Sequence, residues 1–190
     1  GEFPDLSIRG IDLTVVSTDE RRVATLEQVW SSQSQVRPGD HIEVTGLLRT
    51  PSGGTLVEKI PVDIPESISD KRLSVVVGSG ASLNALQNRL TPFSTTPRDL
   101  HQLVRALNRM RRNNRLYALV MTPQRSLTLQ GEEYPSPPPS LVQTFLADPA
   151  VSSSVIYGNA SVIGDYQTQP TQYTIQGEKT LYLKVENLGN

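Results

Sequence analysis

The sequence has no cysteine, two histidines, two methionines and one tryptophan among 190 residues. Without cysteine there is no disulfide and no thiolate metal ligand. That lack suits an oxidising compartment as well as a reducing one, because no thiol is present to be oxidised. The histidines, His41 and His101, are far apart in sequence, so a zinc or iron site is disfavoured. No cofactor is expected. No apolar run approaches the roughly 18 residues that a membrane span needs. The net charge of −1 argues against whole-surface attraction to nucleic acid or membrane and leaves only a local basic patch. The chain opens Gly1-Glu2-Phe3-Pro4 with no initiator methionine or signal peptide, which reads as an excised piece of a longer protein.

What is present is strand chemistry at both ends. Leu6 and Ile8 alternate, and Ile11, Leu13 and Val15 alternate on the other parity, with Gly10 as a bulge between them. Thr18-Asp19-Glu20-Arg21 reads as a polar turn, and residues 23–30 as a return strand. Arg37-Pro38-Gly39-Asp40 has type II turn chemistry, proline presetting φ and glycine permitting φ > 0. Ile42, Val44 and Leu48 then alternate with polar residues. Pro51-Ser52-Gly53-Gly54 turns the chain into Ile60, Val62 and Ile64, where Pro61 implies an edge strand because it cannot donate to a ladder. Leu73, Val75 and Val77 make a further strand.

Helical patterning begins at Gly78. Ser82 reads as the N-cap of a helix carrying Leu83, Leu86 and Leu90. Thr96-Pro97 opens a second helix, on which Leu100, Leu103, Val104 and Leu107 form an apolar stripe. Residues 116–121 are apolar on both parities, as in a strand buried on two faces. Pro135-Ser136-Pro137-Pro138-Pro139 is stiff and extended, and a short helix follows it up to Asp148-Pro149. Strand patterns return at residues 155–157, 160–163, 173–175 and 181–185, with Gly177-Glu178-Lys179 read as a turn.

The expected fold class is α+β: a β-sandwich of immunoglobulin-like architecture with a helical α/β insertion or a second small domain. Residues 1–78 supply the sandwich, 79–150 the helical part and 151–190 terminal strands. Two final strands alone make a poor sheet, which favours their rejoining the first one.

Chemistry-bearing motifs are few. His41 lies on the polar parity of a strand beside Asp40 and Glu43, and His101 lies off the apolar stripe of its helix. Neither belongs to a His-Glu-x-x-His pair, and no Gly-x-Ser-x-Gly elbow occurs. Gly78-Ser79-Gly80-Ala81-Ser82 sits between strand and helix as a phosphate loop would, yet Leu83 stands where a third glycine is needed. It reads as a tight turn with an N-cap serine, and at most a weak anion site. Asp19-Glu20 and Glu132-Glu133 read as solvated turns. The unusual concentration is Arg98, Arg105, Arg109, Arg111, Arg112 and Arg115. Arg105, Arg109 and Arg112 are spaced i, i+4, i+7 and would share a helix face with an affinity for carboxylates or phosphates. The weak binding candidates are Arg98, Arg105, Arg109 and Arg112; the plainer reading is a solvated face. No catalytic and no metal-ligating residue is assigned.

The run Val36-Arg37-Pro38-Gly39-Asp40, then Ile60-Pro61-Val62-Asp63-Ile64-Pro65, then Val77-Gly78-Ser79-Gly80-Ala81-Ser82 precedes Pro97-Arg98-Asp99-Leu100 and a basic stretch ending Asn114-Arg115-Leu116-Tyr117. It resembles the region C-terminal to the peptidase domain in large bacterial proteins similar to sporulation stage IV protein B-type serine peptidases. The resemblance covers residues 36–146. It implies an exported bacterial parent with the peptidase domain upstream and absent here. No position matches that family's histidine and serine signatures, so no catalytic residue is carried over.

The function expected from these readings is a non-catalytic interaction or structural module of a larger exported bacterial protein, placed in the periplasm or at the cell surface. Its partner would be another protein or the parent chain's peptidase domain, with nucleic acid disfavoured. Two alternatives stay open. One is a hydrolase or peptidase fragment completed by another domain. The other is a polyanion- or carbohydrate-binding module using the arginines or Tyr157, Tyr166, Tyr173 and Tyr182.

Overall fold

The computed structural model describes residues 10, 12–15, 17, 19, 21–68, 70–90, 100–123, 126–129, 132–135, 137–147, 155–158 and 160–186. The chain is mostly β. Its elements are β1 (Val23–Ser31), β2 (Gln35–Val36), β3 (His41–Arg49), β4 (Thr55–Asp63), β5 (Arg72–Ser79), α1 (Gly80–Leu90), α2 (Leu100–Arg109), β6 (Leu116–Thr122), β7 (Ser126–Leu129), β8 (Glu132–Pro135), α3 (Pro139–Ala147), β9 (Val155–Gly158), β10 (Ser161–Gln167), β11 (Thr174–Gln176) and β12 (Glu178–Val185).

The first sheet runs β11-β1-β3-β4 and the second β10-β6-β5-β12-β2, while β8-β7-β9 form a small third sheet. Period-2 alternation decides what the first two sheets bury. Ala24, Leu26, Val44, Leu48, Ile60 and Val62 from the first sheet join Leu73, Val75, Val77, Leu116, Ala118 and Leu183 from the second in one core. Gly46 belongs to this inner face: a Cβ there would lie 2.5 Å from Leu116 Cδ2, so the close approach of β3 to β6 requires glycine. The second sheet is also covered behind. Val76, Leu119 and Met121 on the opposite parity pack with Leu83 of α1, which explains why every residue of β6 is buried.

The turns form as their glycines demand. Gly39 and Gly53 have φ of 85° and 83°, and Asp40 N–H closes the first turn on the Arg37 carbonyl at 3.1 Å. β4 is an edge strand, as Pro61 requires.

Four expectations need correction. Residues 12–15 carry no strand, and Leu13 and Val15 are 82% and 78% exposed. The place beside the start of β1 is taken by β11, which pairs with it in parallel. The rest of that N-terminal pattern, residues 1–9 and 11, lies outside the described residues. Gly177 is not a hairpin turn. With φ of 97° it is a corner at which the chain leaves the first sheet as β11 and enters the second as β12. Glu132 and Glu133 are in β8, paired to β7, rather than in a turn. Finally, α1 begins at Gly80, so its cap lies three residues before Ser82.

The last strands return to early ones: β11 pairs with β1, and β12 pairs with both β5 and β2. α1 and α2 lie between β5 and β6, which are antiparallel neighbours. The third sheet and α3 fall between β6 and β10, which are also antiparallel neighbours.

Candidate functional site

The start of α1 is the turn that the sequence offers as at most a weak anion site. Ser79 is its N-cap, its Oγ accepting the Ser82 N–H at 3.2 Å. The Ala81 N–H donates to Asn113 Oδ1 at 2.8 Å. Gly80 lies against backbone: an added Cβ would stand 2.5 Å from the Arg112 carbonyl oxygen and 2.8 Å from that of Arg111. Those two amide donors are used by the chain itself, so this turn is a joint between β5, α1 and the segment before β6.

The arginines separate. α2 ends at Arg109, so Arg112 is not on the helix and the three-residue face does not form. Arg111 and Arg112 cross the start of α1 instead, with Arg112 N–H donating to Tyr117 Oη at 2.9 Å. Arg112 is exposed. Arg105 and Arg109 lie on α2 with their side chains outside the description, and Arg98 lies outside the described residues. Arg111, part of the basic concentration but not among the binding candidates read from the sequence, is the buried one. Its side chain is 8% exposed, with Nη2 2.5 Å from Asp165 Oδ2. Nη1 donates to Gln87 Oε1 at 2.8 Å and Asn84 Oδ1 at 3.3 Å, and the guanidinium lies 5.8 Å from the Tyr117 ring centroid. A charge this enclosed persists because it is paired and hydrogen-bonded. It ties α1 to β6 and β10.

His41 Nδ1 lies 2.6 Å from Asp63 Oδ1 across the β3–β4 pair, with side-chain exposures of 82% and 63%. A base and an orienting carboxylate are therefore together, but in bulk water. Among the described residues no serine hydroxyl is hydrogen-bonded to His41. His101 is on α2, its side chain outside the description.

The tyrosines also divide. Tyr166 Oη donates to the Asp63 carbonyl at 2.7 Å. Burial pushes this hydroxyl above the usual phenol range; the bond to Asp63 opposes the shift and the Asp63 charge adds to it. Tyr173 is half-buried against the core, Tyr182 is 75% exposed, and the Tyr157 side chain lies outside the description.

The residue that sequence reasoning missed is Trp30. Strict alternation places it on the parity of Ala24 and Leu26, in the core. A β-bulge between Leu26 and Gln28 shifts the register, so Val29 and Ser31 take the inner positions opposite Gly46 and Val44. Trp30 turns outward and is 44% exposed. Register places it in one row with Thr45 of β3 and Lys59 of β4. The neighbouring rows of this outer face hold Gln28, Leu47 and Val57 on one side and Glu43 and Pro61 on the other. Thr45, between two larger side chains, is 5% exposed. Ion pairs frame the patch: Lys59–Glu43 at 2.9 Å, Arg49–Glu27 at 3.1 Å and His41–Asp63. The hydrogen bond that Arg49 Nε donates to Glu27 Oε1, and then the Glu27 charge, raise the Arg49 guanidinium above its ordinary value.

Among the described residues no group of three or more His, Asp or Glu side chains is arranged to hold a metal ion. No helix among them is long and apolar enough to cross a membrane. A scan against protein-family models, a search of curated proteins and a search of solved structures each gave no significant match to this chain.

Proposed function

We propose that the chain is a non-catalytic interaction module of a larger, exported bacterial protein. The observation that carries this reading is the solvated His41–Asp63 pair. It is the histidine–carboxylate pair among the described residues, and it sits on an open sheet face with 82% of the histidine side chain exposed. Catalysis by such a pair depends on a positioned nucleophile and on excluded water. The side chains the fold leaves unused, Trp30 above all, point outward as recognition groups do.

The finer fold assignment belongs to the same proposal. It is an immunoglobulin-like sandwich in its layering, in which residues 79–150 are a helical insertion and residues 151–190 rejoin the sheets. The pairing of β11 with β1 and of β12 with β5 supports this layout. The parallel pairs β1–β11 and β12–β2 are additions to an antiparallel plan. The resemblance to the region following a sporulation stage IV protein B-type peptidase domain makes that domain, or a separate protein, the partner. The setting would be extracytoplasmic.

The test is hydrolysis. The purified chain and its His41→Ala variant are assayed on casein and on a p-nitrophenyl ester. Both are expected to match buffer alone. Turnover that disappears in His41→Ala would overturn the proposal and restore the hydrolase alternative.

A further inference from the structure

We infer that the outer face of the first sheet is a binding platform for a neutral carbohydrate, with Trp30 as its stacking surface. The inference rests on the module reading above and adds a ligand class to it. Three observations lead to it.

The first is the bulge. A Trp-bearing strand in a two-sheet protein would bury the indole if its alternation ran unbroken. Here the register shift between Leu26 and Gln28 turns the chain's single tryptophan out of the core and leaves it 44% exposed. Exposing an indole forfeits a large apolar burial. Bulges commonly re-aim a side chain beside a functional site.

The second is size. The apolar part of the face is Trp30, Leu47, Val57 and Pro61, spread over three strands and three rows. With strands about 4.8 Å apart and same-face residues about 6.8 Å apart, it covers on the order of 10 by 14 Å. A stable protein interface buries about 800 Å² on each partner. The patch is several-fold smaller than that and suits one or two sugar rings.

The third is charge. The frame consists of two ion pairs, Glu43 with Lys59 and Glu27 with Arg49, and of Asp63 against the His41 ring. Such a rim offers donors and acceptors at short range, with each of its lysine and arginine charges already matched by a carboxylate. A polyanion finds no excess of cations here, and an acidic peptide finds none either. A pyranose ring matches both parts. Its axial C–H face is apolar and electropositive, as the indole quadrupole prefers, and its equatorial hydroxyls reach outward to the polar rim. Glu43 and Lys59 lie nearest Trp30 in register and would bond those hydroxyls.

The experiment uses the full chain. Affinity electrophoresis is run through gels containing hydroxyethylcellulose, laminarin or galactomannan, with heparin as the charged control. Because Trp30 is the only tryptophan, its fluorescence reports on the platform directly. At least one neutral polysaccharide is expected to retard migration and to shift Trp30 emission. Trp30→Ala should weaken retardation about tenfold, a loss on the scale of one aromatic stacking interaction. Trp30→Tyr should keep part of it, and Tyr182→Ala should keep all of it. Circular dichroism establishes that each variant is folded. Retardation by heparin alone, retention undiminished in folded Trp30→Ala, or no response to any neutral polysaccharide would each overturn the inference. None of these outcomes involves hydrolysis, so the sugar platform can fail while the non-catalytic reading stands.

Discussion

Tyr166 and Asp63 join the two main sheets at their edges. The Tyr166 hydroxyl, on β10, donates to the Asp63 backbone carbonyl at the end of β4, at 2.7 Å. β10 closes one edge of the second sheet and β4 one edge of the first. The tyrosine ring covers Gly164, where an added Cβ would stand 2.6 Å from Tyr166 Cε2. An aromatic over a glycine on an edge strand protects the exposed ladder and fixes the local bend.

Tyr166→Phe keeps the ring over Gly164 and removes only the hydrogen bond. It is expected to cost about 1 kcal/mol, the usual net value of such a bond. The urea midpoint should fall while the slope of the transition stays constant.

The capping residue of α1 can be identified by comparing two serines. Ser79→Ala removes the acceptor of the Ser82 N–H and is expected to cost about 1 kcal/mol. Ser82→Ala leaves that bond in place and removes only a hydroxyl contact to Ser79 Oγ, so its effect should be clearly smaller. Equal losses in chemical denaturation would contradict the assignment.

Gly80→Ala sets local propensity against tertiary contact. Alanine is the better helix former by about 1 kcal/mol. The new methyl would press on the carbonyls of Arg111 and Arg112, which are backbone and cannot rotate aside. Net destabilisation of roughly 2 kcal/mol or more is expected, as for other overpacked sites. Gly10→Ala, with nothing within 4 Å, should stay within about 0.5 kcal/mol of the parent.

Glu58 gives the fold a pH dependence. It lies on the inner parity of β4 opposite Gly46, and burial pushes its carboxyl above the ordinary value. The folded state therefore holds the proton more tightly than the unfolded state. Stability falls as pH rises from the ordinary carboxylate value through the raised folded value, and is level on either side. Glu58→Gln should be more stable than the parent at neutral pH and should flatten that segment of the pH–stability curve. Thermal melts at a series of pH values measure both.

Much of the β architecture was legible in the sequence because period-2 alternation and turn residues are local signals. Pro38-Gly39, Gly53 and Pro61 dictated two turns and an edge strand through φ and a missing donor, and these depend on nothing distant. The same logic failed where alternation lacked a partner. Leu13 and Val15 have strand chemistry, but β11, from the other end of the chain, pairs with the start of β1.

The site was less legible. Helical spacing singled out Arg112 and passed over Arg111, yet it is Arg111 that pairs with Asp165, 54 residues downstream, while Arg112 stands off the helix in solvent. Trp30 was legible only as part of a return strand, because alternation counts parity and cannot count an extra residue. The Leu26–Gln28 bulge appears only when β1 is laid against β3.

The sequence by itself determined that no thiol chemistry occurs, where the sharpest turns lie, and which strand must be an edge. The tertiary structure alone decided which amides of α1 are already bonded, which arginine is buried, and that the single tryptophan faces outward. The division has one physical cause. Backbone dihedral preferences and side-chain chemistry act within a few residues, whereas register, burial and ion pairing depend on which distant segment arrives alongside.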